Sequence, residues 1–255
     1  MSRRLASALA IAAITTLACT AVALAVTTQI GNLKASATAE FEPRAFPAHG
    51  TVPATFASIV RIHSVDGDQP PALKTLAFEF DKHGKLNTKG VPTCTVARLE
   101  GTTPAEARKR CAGALVGTGL GKARVAMAGS APFTISSPIS IFNAPAEGGK
   151  PTLIAHAYEQ VPSPQTLLVQ FTIERIQHGR YGYRAEVELP PIAGGAGAAV
   201  LAEVHFGRTY KIKGHKVGYV EGECSGGRLQ VQGKMTFAEG SFLPALLTSP
   251  CHVEE

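Results

Sequence analysis

Apolar and polar positions alternate along much of this chain. Leu76, Phe78 and Phe80 interleave with Ala77, Glu79 and Asp81, and Leu167, Val169, Phe171 and Ile173 interleave with Gln170, Thr172 and Glu174. Tyr181, Tyr183, Ala185, Val187 and Leu189 repeat the pattern against Arg184, Glu186 and Glu188. So do Val200, Ala202, Val204 and Phe206, and then Leu229, Val231, Met235 and Phe237 against Gln230, Gln232, Lys234 and Thr236. A period of two marks strands with one face on a core and the other in water, as in antiparallel sheets. The joints carry turn residues. Asp81–Gly84 turns the first run, and Gln177–Arg180, Lys213–Lys216 and Ser225–Gly227 each place Gly between runs and read as hairpins. Pro190–Ala199 is a Pro/Gly/Ala loop.

One helix stands out. Thr103-Pro104-Ala105-Glu106 has capping-box spacing with Pro at the first helical position, and Arg108, Lys109 and Arg110 follow where the helix dipole favours cations. The expected architecture is all-β: an antiparallel β-sandwich or a strongly curved half-barrel with one short helix near 104–112.

The N-terminus changes the picture. Arg3 and Arg4 precede an uncharged run from Leu5 to Val26 that is rich in Ala, Leu and Ile. Small residues at Ala21, Ala23 and Ala25 suit a signal peptidase, so residues 1–25 read as a signal peptide cut after Ala23 or Ala25. An uncleaved anchor is the alternative. Lipidation at Cys19 fits poorly, because Leu17 stands too close and the apolar run continues past it. Residues 26–53 read as a linker or edge segment and 54–255 as a single β-domain whose mature part does not span a membrane. Without the leader four cysteines remain, an even number in an exported chain. Cys94 with Cys111 and Cys224 with Cys251 are the expected disulfides. Neither C-x-x-C nor H-x(3–5)-H spacing occurs, so no zinc site is expected.

Composition and charge narrow the function. The 255 residues are 45% apolar and 17% charged, with no Trp. The formal charge of +6 falls to +4 once Arg3 and Arg4 are set aside, which is too mild to suggest nucleic acid. Val116–Lys122 looks like a phosphate loop, but Lys122 replaces the last dinucleotide-binding Gly, and Val116 and Ala123 break the P-loop pattern. A Gly-rich bend between strands is expected there. Gly222–Gly226 has nucleophile-elbow spacing around Cys224, yet a strand follows it where an elbow needs a helix. The three Asp residues fall in turns; Asp66 and Asp68 read as loop punctuation, and Asp81 beside His83 as a self-capping turn. Glu186 and Glu188 share one strand face at roughly 6.5–7 Å, a spacing within the inverting-glycosidase range. Glu221 and Glu223 repeat it, and a solvent face is the simpler reading of both. The eight histidines are scattered and read as surface residues. Lys211, Lys213, His215 and Lys216 crowd one hairpin, read as solvated, with anionic lipid or a cell-envelope polymer as its conceivable partner.

The order Phe78–Gly84, Pro92-Thr93-Cys94, the helix with Cys111, Val116–Gly119, Cys224 and Pro250-Cys251 resembles a group of uncharacterised exported proteins of high-GC Gram-positive bacteria. The resemblance spans roughly residues 70–251 and implies export and disulfides, with no activity attached. The expected role is a secreted or cell-envelope β-domain that binds or supports, with no cofactor or metal and no catalytic residues. Two alternatives are a carrier of an apolar ligand in a β-enclosed cavity and a glycoside hydrolase using Glu186 and Glu188.

Overall fold

The computed structural model describes residues 25–254. Residues 1–24, which hold most of the leader, the cut after Ala23 and Cys19, lie outside the described residues. In chain order the first strands are β1 (Val26–Ile30), β2 (Leu33–Glu42), β3 (Ala45–Pro47), β4 (Val52–Ser64), β5 (Leu73–Asp81) and β6 (Gly84–Leu86). Helices α1 (Val96–Leu99) and α2 (Pro104–Arg110) and a 3-10 turn (Ala112–Ala114) follow, and then β7 (Leu115–Val125), β8 (Phe133–Glu147), β9 (Lys150–Glu159), β10 (Gln165–His178) and β11 (Tyr181–Glu188). A second 3-10 turn (Ile192–Gly195) leads to β12 (Gly197–Phe206), β13 (Thr209–Ile212), β14 (His215–Gly218), β15 (Val220–Gly222), β16 (Arg228–Phe237), β17 (Phe242–Pro250) and β18 (His252–Glu254).

The main sheet runs β1-β2-β4-β12-β7-β8-β9-β10-β11-β5-β16-β17, antiparallel at every step. Its two ends meet side by side, where Thr28 Oγ1 donates to the Pro244 carbonyl at 2.9 Å. The result is a nearly closed antiparallel barrel, wound further than a half-barrel. Part of the curvature comes from the Gly117, Gly119 and Gly121 series. It is not a bend between strands but lies inside β7, on the side facing the core. A Cβ at Gly119 would sit 2.1 Å from the Glu203 carbonyl oxygen of β12, so only Gly lets the two strands approach and coil there.

The alternating runs face inward as expected. Leu33, Ala35 and Ile62 on one wall meet Leu73, Met235, Phe237 and Leu243 on the other. Further along, Val116, Ile141, Leu153, Ile173 and Ala185 close around Tyr219. Burying an apolar side chain of this size stabilises by about 1.5–3 kcal/mol. Tyr219 is fully buried, and its hydroxyl donates to Asn143 Oδ1 at 2.9 Å, so the polar tip is satisfied inside the core. Burial pushes its phenol far above the ordinary range.

Several expectations are corrected. Residues 26–53 are not a linker. β2 pairs along its length with β1 and β4 and buries Leu33, Ala35, Ala37 and Ala39, while β1 and β3 each pair on one side only, as edge strands do. Small Ala side chains gave this stretch a weak apolar signal, yet they fit the tight wall where β2 faces β16 and β17. Two joints are not hairpins. β6 leaves β5 to pair with β15, and β15 bonds to β4 and β6, so Asp81–Gly84 and Ser225–Gly227 are corners between sheet regions. Gln177–Arg180 and Lys213–Lys216 do close hairpins.

The helical excursion packs on the outside of β8, β9 and β10. Leu99, Ala107 and Ala114 bury against Phe142 and Ile154, with Leu168 alongside. Strands covered on both faces lose their two-residue period, which is why β8 and β9 carry no clean alternation. The capping box at α2 is complete: Glu106 N donates to Thr103 Oγ1 and Thr103 N donates to Glu106 Oε2.

Candidate functional site

Both expected cysteine pairs stand at disulfide distance. Cys94 and Cys111 lie 5.7 Å apart at Cα across 17 residues and pin the excursion to the barrel. Cys224 and Cys251 lie 5.8 Å apart across 27 residues and tie the C-terminal strand back to the β15–β16 corner. Arg180 braces that corner. Its guanidinium donates to Asp81 Oδ2 at 2.5 Å, to the Ser225 carbonyl at 2.9 Å and to the Arg228 carbonyl. Cys224 is thus a disulfide half and no nucleophile.

The carboxylate pairs separate into different roles. Glu186 and Glu188 stand exposed on the outer wall, opposite Ala77 and Thr75 of β5, and neither lines a groove described below. Glu221 is taken by Lys85 at 3.7 Å and by the Thr51 hydroxyl at 3.0 Å, and Glu223 by His83 Nδ1. Asp81 accepts from the His83 backbone N–H at 3.1 Å, the self-capping turn expected. Asp66 is held by Asn32 and caps Asp68 N, as loop punctuation.

Glu79 organises the outer wall. Its carboxylate accepts from Arg184 Nε at 2.9 Å and from Arg184 Nη2, and its other oxygen meets His178 Nδ1 at 2.9 Å. Burial alone would raise its pKa, but the Arg184 and His178 hydrogen bonds outweigh that and hold it below the usual carboxylate value.

The histidine expectation fails at one position. His156, on the outer face of β9, is sealed completely under the excursion. Its Nε2 lies 3.0 Å from Thr102 Oγ1 and 3.1 Å from the Thr102 carbonyl, which also accepts from Thr166 Oγ1 at 2.8 Å. Its Nδ1 has no partner. Across the strand pair stands buried Ser140, which accepts from Arg108 Nε at 3.0 Å. Desolvation pushes the imidazole pKa below its ordinary value, and the Arg108 charge adds to this. No spacing marks this cluster in the sequence; only the disulfide-held excursion brings it together.

Two adjoining surface grooves, of about 380 and 470 Å³, run along β2 and β4. Glu42 and Thr55 line both, with Glu40 and His205 in one and Arg44 in the other. Among the described residues no group of three His, Cys, Asp or Glu side chains could hold a metal, and no helix is long and apolar enough to cross a membrane. No family model, curated protein or solved structure matches the chain.

Proposed function

We propose that this chain is a secreted or cell-envelope β-domain that acts by binding or as a structural module, of the kind found among exported proteins of high-GC Gram-positive bacteria. The observation that carries the reading is the two disulfide-distance cysteine pairs bracing a barrel whose interior is filled by its own side chains. Two such bridges suit an oxidising compartment. A core in which opposite walls touch favours recognition on the outer surface over enclosure of an apolar ligand, the carrier alternative. The hydrolase alternative gains nothing from Glu186 and Glu188, which stand on an exposed wall away from both grooves.

The test is fractionation of cells producing the full chain, with free thiols alkylated before lysis. The reading expects recovery outside the cytoplasm with Cys94, Cys111, Cys224 and Cys251 unmodified. Cytoplasmic recovery with all four alkylated overturns it.

A further inference from the structure

The positive charge of the molecule is concentrated at one end of the barrel. Residues 87–114 and 207–219 hold nine Lys and Arg against two Glu, whereas the other described residues hold fourteen against sixteen Asp and Glu. The nine are Lys89, Arg98, Arg108, Lys109 and Arg110 from the first segment and Arg208, Lys211, Lys213 and Lys216 from the second, and all are exposed.

These segments form one continuous surface. Arg208 donates to the carbonyls of Ala112 at 2.8 Å and Leu115 at 3.1 Å, which joins the base of the β13–β14 hairpin to the excursion. Asn87 Nδ2 donates to the Gly218 carbonyl at 2.9 Å, and Ile212 packs over Gly90, which joins the hairpin to the loop carrying Lys89. The hairpin is a separate two-stranded sheet, and no barrel strand pairs with it. Lys213 at its tip adopts φ 51°, a left-handed conformation that favours Gly or Asn, so a charge stands where turn chemistry alone would not place one.

Among the described residues outside these segments, Lys85, Lys150, Arg180 and Arg184 are each matched to a carboxylate, whereas Lys34, Lys74 and Lys122 are not. Among the described residues none of the nine forms an ion pair. Arg98 and Arg110 donate to each other's backbone carbonyls, which satisfies hydrogen bonds without cancelling charge.

We infer that this basic end is the docking surface for a linear phosphate-bearing polyanion. Unpaired like charges gathered on one surface are complementary to a repeating anion, and they focus its field at that end of the barrel. An anionic bilayer is the competing partner. The large exposed apolar side chains Ile30, Val65, Phe133, Phe242, Leu246 and Val253 all lie outside the two segments, so this end offers no wedge for the acyl region. The inference names a partner class for the binding role proposed above. It rests on that reading only for the compartment, and its test uses the purified chain, so a failure of export and a failure of binding are separate results.

The experiment titrates the purified disulfide-bonded chain into labelled linear polyphosphate. Affinity is expected to fall ~tenfold or more between about 50 and 200 mM salt. The triple variant Lys211→Gln, Lys213→Gln, Lys216→Gln should weaken binding ~tenfold with its melting temperature unchanged. A control with the same net charge, Lys34→Gln, Lys74→Gln, Lys122→Gln, should stay within about twofold. Equal losses in both triples, no binding at low salt, or tighter binding to phosphatidylcholine vesicles with about 30% phosphatidylglycerol would each overturn the inference.

Discussion

His156 Nε2 sits 3.0 Å from Thr102 Oγ1, and neither residue is exposed to solvent. This contact joins a strand of the barrel to the segment between the two helices of the excursion, so the excursion is held by a disulfide at its ends and a polar clasp in its middle.

The clasp makes stability depend on pH. The folded pKa of His156 lies below its ordinary value of 6.5, so on acidification the unfolded chain takes up the proton first. The stabilisation is complete above pH ~6.5 and is lost as pH falls through the histidine range toward the depressed folded value. Arg108 is the charged group facing the imidazole, and it opposes protonation. Urea midpoints measured between about pH 8 and pH 5 should fall for the native chain. In His156→Gln the same decline should flatten, with a loss of about 1–3 kcal/mol at neutral pH from the broken buried hydrogen bonds.

Glu79 behaves differently from its neighbours on the same wall. Glu79→Gln strips charge from the Arg184 and His178 contacts and should cost about 1–3 kcal/mol at neutral pH. Because the folded carboxyl is held below 4.5, this contribution is present above that value and disappears as pH falls through the depressed pKa. The double variant Glu186→Gln, Glu188→Gln removes exposed charges and should move stability by less than about 0.5 kcal/mol. Denaturation curves of both variants check the contrast.

Gly119 and Gly121 separate a required glycine from a tolerant one. A Cβ at 119 meets the Glu203 carbonyl at 2.1 Å, whereas at 121 the nearest atom is Ile139 Cδ1 at 3.4 Å. Gly119→Ala should cost about 3 kcal/mol or more as β7 and β12 are forced apart, and Gly121→Ala under about 1 kcal/mol. Calorimetry of the two variants decides it.

Opening the first bridge should free the excursion and leave the barrel intact. Cys94→Ser with Cys111→Ser should lower stability by about 3 kcal/mol for the 17-residue span. Limited proteolysis should then cut between residues 95 and 114 before any strand.

The all-β fold, the capping box and the cysteine pairs were legible because each is written locally, in period-two runs, a Thr-Pro-Ala-Glu tetrad and an even cysteine count. β2 was hidden because Ala35, Ala37 and Ala39 carry too little apolar surface to signal a buried face. β8 and β9 were hidden because the excursion covers the face that water would have made polar. The His156 clasp depends on residues 54 positions apart in sequence meeting under a cross-linked loop, which no spacing rule encodes. The basic end was only half visible. The Lys211–Lys216 cluster shows in the sequence, while its junction with Lys89, Arg98 and Arg110 exists only in the folded barrel.

The structure is a disulfide-braced barrel whose opposite walls touch across a filled interior. Intact mass of the protein purified from producing cells, measured natively and then denatured without reductant, tests both features. Equal native and denatured masses are expected, with four hydrogens missing for the two bridges. A native mass heavier by a lipid-sized increment, or four free thiols, would contradict the structure.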